Sequence, residues 1–210
     1  MTVVLVHGLT ASTDWWRPTI AALAPQHDVR LVELPGVPLR DAARRLLDWF
    51  ESEGVARASV VGHSMGGTVA LLAAVERPAA VDRLVLVAPA GIFVSRRRRS
   101  YMLPLARSTL ARLPTHFPLM IRDALRIGPL TLWRVASDLL VEDIGANLRE
   151  VRAPTLVIWG ERDHLLPPEL GRSFCDEIPN CRLVTLPKCG HVPMLECPAA
   201  LHQQLLGFLE

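Results

Sequence analysis

The stretch SVVGHSMGGT at residues 59–68 decides the fold and contains the first candidate functional residue. A β-branched run leads into the pentapeptide GHSMG at 62–66, and apolar residues at helical spacing follow it. Strand, sharp turn and helix in this order are the setting of a nucleophilic serine, because the flanking glycines let neighbouring backbone approach. A helix starting at Met65 would point its amide dipoles at Ser64 and favour negative charge there. The alternative is a glycine-rich turn in which Ser64 only caps a helix.

Six short apolar runs divide the chain, and segments of helical spacing separate them. The runs are Thr2–Val6, Val29–Leu34, Ala58–Val61, Arg83–Val87, Thr155–Trp159 and Arg182–Leu186. Runs that are nearly all apolar, rather than alternating, are typical of parallel strands covered on both faces. The sequence therefore predicts an α/β fold built on a six-stranded, mostly parallel, doubly wound sheet.

The strand–helix alternation breaks once, between the fourth run and Pro154. The intervening segment, roughly 65 residues with several prolines, is too long for a bare loop in a compact domain. We predict a small helical cap, residues 91–151, inserted into a core of residues 1–90 and 152–210. The same segment is unusually basic. Residues 91–141 carry nine arginines and only two aspartates, whereas the net charge of the whole chain is +2.

Length and composition favour one soluble globular domain. The chain has 210 residues, of which 50% are hydrophobic and 21% charged, enough for a single good core. No apolar run approaches the roughly 20 residues that cross a bilayer. The N-terminus lacks the charged region and cleavage site of a signal peptide. We therefore expect a cytoplasmic protein with no integral membrane association.

The cysteines all lie late in the chain, at Cys175, Cys181, Cys189 and Cys197. Their spacing matches no paired C-x-x-C zinc arrangement. In a cytosolic protein we expect small, buried, free thiols, whereas a secreted form would carry disulfides. Nothing else in the sequence resembles a phosphate loop, a dinucleotide fingerprint or a ligand cluster, so we expect neither a metal nor an organic cofactor.

Two further motifs supply the partners that a nucleophilic serine needs. Asp163 ends the turn GERD after the fifth run, and His191 ends CGH after the sixth. A serine hydroxyl is a weak nucleophile until a base takes its proton and an acid orients that base. Because the carboxyl ends of parallel strands share one edge of the sheet, we predict that Ser64, His191 and Asp163 meet there as nucleophile, base and acid.

These motifs resemble those of the α/β-hydrolase superfamily. WGERD at 159–163 and CGHVPMLECP at 189–198 are similar to its acid and histidine motifs, and with GHSMG the resemblance spans essentially the whole chain. It implies a serine esterase or lipase-like enzyme with an oxyanion hole formed by the amides of Met65 and Leu9. His7, just before that second amide, is expected to fix the loop rather than act as a base, and His63 is expected to pack.

The chain also departs from the family pattern. Members usually have two strands before the one that ends in His-Gly, whereas the first run of this sequence, Thr2–Val6, is itself followed by His7-Gly8. Members also usually have a longer loop where this chain has ELPG at 33–36. We therefore expect a compact member with Val29–Leu34 as an edge strand.

Three classes of function stay open. The first is hydrolysis of carboxylic esters or thioesters of an apolar acyl group through an acyl-enzyme. The second keeps the three residues but acts as a carbon–carbon bond hydrolase, lyase or perhydrolase. The third is a ligand-binding receptor without catalysis. Serine at position 64 argues against the dehalogenases and epoxide hydrolases of the superfamily, because those use an aspartate nucleophile.

The resemblance implies that the cap selects the substrate. Its apolar residues either line an acyl pocket or pack the cap onto the core; they are Tyr101, Met102, Leu103, Leu105, Leu110, Leu113, Phe117, Leu119, Met120 and Trp133. Arg96–Arg99 is either a solvated charge run or part of a surface that attracts an acidic carrier protein, a coenzyme A thioester or an anionic membrane surface. Nucleic acid is not expected, because the arginines belong to no recognisable nucleic-acid-binding fold.

Overall fold

The structure, a computed structural model, describes residues 1–9, 11–34, 36–91, 117–142 and 144–210, apart from the side chains of Phe117, Leu140 and Val141. Its six strands coincide with the six predicted runs, shifted by one or two residues at some ends. They are β1 (Thr2–Val6), β2 (Asp28–Val32), β3 (Ala58–His63), β4 (Val81–Val87), β5 (Thr155–Gly160) and β6 (Cys181–Leu186).

The strands form one sheet in the order β2-β1-β3-β4-β5-β6, and every pairing is parallel. The predicted fold class is therefore confirmed, and β2 is an edge strand as expected. Successive side chains of β1 point to opposite faces, so that Val4 and Val6 join one buried cluster while Val3 and Leu5 join the other. Burial on both faces explains why the strand sequences are continuously apolar.

Helices cover both faces of the sheet. The α-helices are α1 (Arg17–Leu23), α2 (Leu39–Ser52), α3 (Met65–Glu76), α4 (Phe117–Ile127), α5 (Pro129–Val141), α6 (Gly145–Leu148), α7 (Glu169–Glu177), α8 (Pro193–Glu196) and α9 (Pro198–Leu209), with 3-10 turns at Thr13–Trp16 and Pro78–Ala80. Phe50 of α2, Leu71 of α3 and Phe174 of α7 pack on one face. Leu23 of α1 and Leu205 of α9 pack on the other.

Helices α4 and α5 fall within the segment predicted as a cap, and buried or partly buried acids hold both to the core. Asp123 of α4 is 2% exposed and accepts a hydrogen bond from Trp15 Nε1 at 2.9 Å. Asp138 of α5 accepts the amide of Leu39, at the start of α2, at 2.8 Å. The only two acidic residues of the arginine-rich segment 91–141 are therefore both contacts to the core. The cap limits 91 and 151 stay a prediction, and Arg96–Arg99 lie outside the described residues.

The expectation of free thiols is wrong. Cys175 pairs with Cys181, which joins α7 to β6, and Cys189 pairs with Cys197 around the turn that contains His191. The sequence placed each pair only six or eight residues apart, but the fold brings the two Cα atoms of each pair to 5.1 and 6.0 Å. Disulfides are typical of oxidising compartments, so this pairing weighs against a cytoplasmic address.

A membrane-spanning helix is not found among the residues that the structure describes. The cytoplasmic address stays a prediction from the sequence.

Candidate active site

Ser64 lies in a tight turn between β3 and α3, at the carboxyl edge of the sheet. Its backbone has φ 52° and ψ −118°, a region that residues with side chains rarely adopt and that costs free energy. The turn also needs close backbone contacts, because a Cβ on Gly62 would overlap the carbonyl of Gly66. A Cβ on Gly66 would in turn overlap two carbonyls at the end of β1. The strained strand–turn–helix geometry predicted from GHSMG is present.

The three predicted side chains form one continuous series of hydrogen bonds. His191 Nδ1 lies 2.7 Å from Asp163 Oδ2, and His191 Nε2 lies 3.2 Å from Ser64 Oγ. A carboxylate can only accept, so Nδ1 carries the proton and Nε2 has the lone pair that faces the hydroxyl. An imidazole in this tautomer can take the proton of Ser64 as its oxygen attacks a carbonyl.

The carboxylate of Asp163 is held on both oxygens. Its Oδ1 accepts the amides of Leu165 at 2.8 Å and Leu166 at 2.9 Å, while Oδ2 faces the imidazole. The side chain is fully buried. The neighbouring acid, Glu161, instead accepts the amide of Lys188 at 2.9 Å. The geometry therefore favours Asp163 over Glu161 as the group that orients the histidine.

A cavity of about 340 Å³ lies beside the two predicted oxyanion residues. Its lining includes Leu9 and Met65. Met65 begins α3, and the first amides of a helix have no acceptor within the helix.

His7 holds the loop after β1 through both of its ring nitrogens. Its Nδ1 donates to the carbonyl of Gly8 at 2.8 Å, and its Nε2 accepts the amide of Leu34 at 3.4 Å. With both ring nitrogens engaged, His7 fixes this loop as expected.

The family follows from a comparison with known proteins. Residues 3–204 match the sequence profile described as the alpha/beta hydrolase family. The chain belongs to the alpha/beta hydrolase family. It is an esterase-like hydrolase, as the resemblance of its motifs implied.

Individual relatives cover nearly all of this alpha/beta hydrolase. It is 30% identical to a pimeloyl-[acyl-carrier protein] methyl ester esterase of Nitrosomonas europaea, over 93% of this chain and 90% of that protein. It is 24% identical to a 2-hydroxy-6-oxo-6-phenylhexa-2,4-dienoate hydrolase of Burkholderia cepacia, over 99% of this chain and 87% of that protein. Among solved structures, a bacterial membrane phospholipase A matches with a TM-score of 0.85 at 25% identity, over 99% of this chain and 78% of that one.

The hydrolase also uses His63 in a way that the sequence did not reveal. The side chain packs in the core, as expected, and its Nε2 donates to the backbone carbonyl of His191 at 2.9 Å. Within the described part of the chain Nδ1 has no hydrogen-bond partner. Burial lowers the pKa of His63 from 6.5 to about 3, with the nearby His191 adding to the shift. His63 is therefore a neutral donor at physiological pH.

The segment predicted as a cap contributes different residues to the cavity from those expected. Asp123, Arg126 and Ile127 of α4 line it. Leu119 and Met120, which were candidates for an acyl pocket, instead pack against the core, and the candidate Trp133 is 68% exposed. The other candidates lie outside the described side chains. Helix α4 thus places charged as well as apolar groups at the cavity.

Metal-ligand geometry is not found in the described ranges, where no group of three or more His, Cys, Asp or Glu residues could hold an ion.

Proposed function

We propose that this alpha/beta hydrolase cleaves carboxylic esters or thioesters through an acyl-enzyme on Ser64. The observation that carries the proposal is the series from Asp163 Oδ2 through His191 to Ser64 Oγ, with separations of 2.7 and 3.2 Å. In the first half-reaction Ser64 Oγ bonds to the acyl carbon and its proton moves to His191 Nε2. The imidazolium then protonates the departing alcohol or thiol.

The second half-reaction reverses these roles. A water molecule gives a proton to His191 Nε2 and attacks the acyl carbon, and the proton returns to Ser64 as the acid leaves. Asp163 stays ionised, keeps the proton on Nδ1 and stabilises the imidazolium in both halves.

Negative charge on the carbonyl oxygen needs donors at each attack. We assign this role to the amides of Leu9 and Met65, because both residues line the same cavity and Met65 follows Ser64 at the start of α3. The amino end of a helix carries a partial positive charge that favours an oxyanion.

The test compares wild type with Ser64→Ala and a matched control, Ser173→Ala on α7. Hydrolysis of p-nitrophenyl acetate and labelling by a fluorophosphonate are measured for each. Wild type and Ser173→Ala should hydrolyse and label equally, and Ser64→Ala should lose about 10⁴-fold in kcat and all labelling. Undiminished turnover by Ser64→Ala would refute the assignment, and an inert wild type would favour the receptor alternative.

We extend the proposal to an acidic substrate conjugate, such as an ester carried on an acyl carrier protein or a coenzyme A thioester. Arg126 supports it, because it is exposed at the cavity and has no carboxylate within ion-pair distance among the described residues. The relative from Nitrosomonas europaea is named for an ester on an acyl carrier protein.

Salt tests the extension. Raising ionic strength from 0.05 to about 0.5 M should lower kcat/KM severalfold for the acidic conjugate and little for a neutral ester. Equal salt sensitivity for both substrates would reject the extension.

Carbon–carbon bond hydrolysis is the second candidate function, since the Burkholderia cepacia relative is named for a dienoate substrate. This candidate predicts that the kcat/KM measured on such a dienoate exceeds the kcat/KM measured on esters.

A further inference from the structure

The carboxylate of Glu196 holds the backbone on both sides of His191. Its Oε2 accepts the amide of Gly190 at 2.6 Å and its Oε1 accepts the amide of Val192 at 3.1 Å. Both oxygens of one side chain are thus used on the two residues that flank the imidazole. Hydrogen bonds to an ionised acceptor are stronger than neutral ones.

The local structure is built to bring this carboxylate back. The short helix α8 (Pro193–Glu196) turns the chain, and the amide of Glu196 donates to the carbonyl of Val192 at 2.9 Å. A Cβ on Gly190 would overlap the carboxylate in its present position, so a larger residue at 190 would displace it. The disulfide between Cys189 and Cys197 closes the same turn one residue further out on each side.

We propose that Glu196 is a positioning residue for the proposed hydrolysis: it fixes the backbone of His191 so that Nε2 stays within hydrogen-bond reach of Ser64. This rests on the proposed function. Asp163 orients the ring through Nδ1, and His63 holds the carbonyl of His191. Glu196 completes the set by holding the two amides on either side. Without it the ring keeps its partner Asp163 but can shift with its backbone.

The experiment compares Glu196→Gln and Glu196→Ala with Glu161→Gln as a matched control. Glu161 also accepts one backbone amide, that of Lys188, whereas the amides of the residues next to His191 are bound by Glu196. A glutamine at 196 keeps the size and one acceptor oxygen, while its NH2 group faces the other amide. We expect kcat on p-nitrophenyl acetate to fall about 10-fold for Glu196→Gln with KM unchanged, and less than twofold for Glu161→Gln.

A direct readout of the imidazole separates positioning from general stability. The proton on His191 Nδ1 should give a downfield ¹H NMR signal in wild type, and in Glu196→Ala the signal should broaden and exchange faster although Asp163 is intact. Thermal unfolding is measured on every variant, and kcat is compared well below each midpoint. Should Glu196→Ala be poorly folded, Glu196→Gln decides, since it changes no volume.

Gly190→Ala perturbs the same contact from the other side. It should lower kcat by a similar factor, and the double variant with Glu196→Gln should be no slower than the slower single variant. Equal kcat for Glu196→Gln and Glu161→Gln, or an unchanged NMR signal in Glu196→Ala, would overturn the proposal. Failure of the proposed function is distinct, because it would appear as an inert wild type, whereas the NMR signal reports on Glu196 without any substrate.

Discussion

Replacing His63 by glutamine should flatten the dependence of folding stability on pH. Burial lowers the pKa of His63 to about 3, whereas the unfolded chain binds the proton near 6.5. Between these values the unfolded state carries more protons than the folded state, so the free energy of unfolding falls as pH falls. The contribution of His63 to the free energy of unfolding is therefore at its full value above pH 6.5 and declines as the pH falls toward 3.

The size of this loss follows from the two pKa values. One pKa unit corresponds to about 1.4 kcal/mol, so His63 alone should remove about 2 kcal/mol at pH 5 and roughly 3 kcal/mol at pH 4, relative to pH 8. Burial also lowers the pKa values of His27 and His202, and both act in the same direction. The informative quantity is therefore the difference between wild type and variant at each pH.

Urea unfolding followed by tryptophan fluorescence at pH 8, 6, 5 and 4 measures this difference. His63→Gln lowers stability at pH 8, because the core loses a fitted ring, but the gap to wild type should close by about 2 kcal/mol at pH 5. His202→Gln serves as a control with a smaller closure, since His202 is only half buried. Parallel stability curves for wild type and His63→Gln would refute the reasoning.

Three further outcomes are expected. Asp163→Asn should lower kcat about 10⁴-fold because the imidazole loses its orienting acceptor, while Glu161→Gln should lower it by less than twofold; the reverse order would make Glu161 the third member. Gly66→Ala should lower the free energy of unfolding by about 3 kcal/mol in denaturant titrations, because its Cβ overlaps backbone; an unchanged midpoint would contradict this. Replacing both Cys189 and Cys197 by serine should lower it by about 2 kcal/mol, the entropy of closing a short loop, and free-thiol titration of the native wild type should find none.

The strands and the candidate site were predictable for the same reason. A strand buried on both faces leaves a continuous apolar run, and a turn residue after it must lie at the sheet edge. Ser64, Asp163 and His191 each follow such a run, so their meeting needed only the parallel order of the strands. Local patterns were sufficient.

The features that the sequence did not reveal have other causes. The contact between Trp15 and Asp123 joins residues 108 positions apart, and no local periodicity encodes it. The pKa of His63 depends on how completely the fold buries its ring, which a sequence does not state. The cysteine pairing was open because the expected cytoplasmic address, not geometry, favoured thiols. The first two features depend on three-dimensional packing around elements whose existence was predicted correctly.

The contacts around His191 divide its positioning among independent groups. Asp163 acts on the ring, His63 on the backbone carbonyl, and Glu196 on the adjacent amides. His63 is adjacent in sequence to Ser64, so its hydrogen bond ties the histidine turn directly to the serine turn across the sheet edge. We therefore expect a shift of one turn to carry the other with it. Since hydrogen bonding between Ser64 and His191 tolerates only a few tenths of an ångström beyond 3.2 Å, we expect this link, together with the ring contact, to hold the proposed base and nucleophile in register.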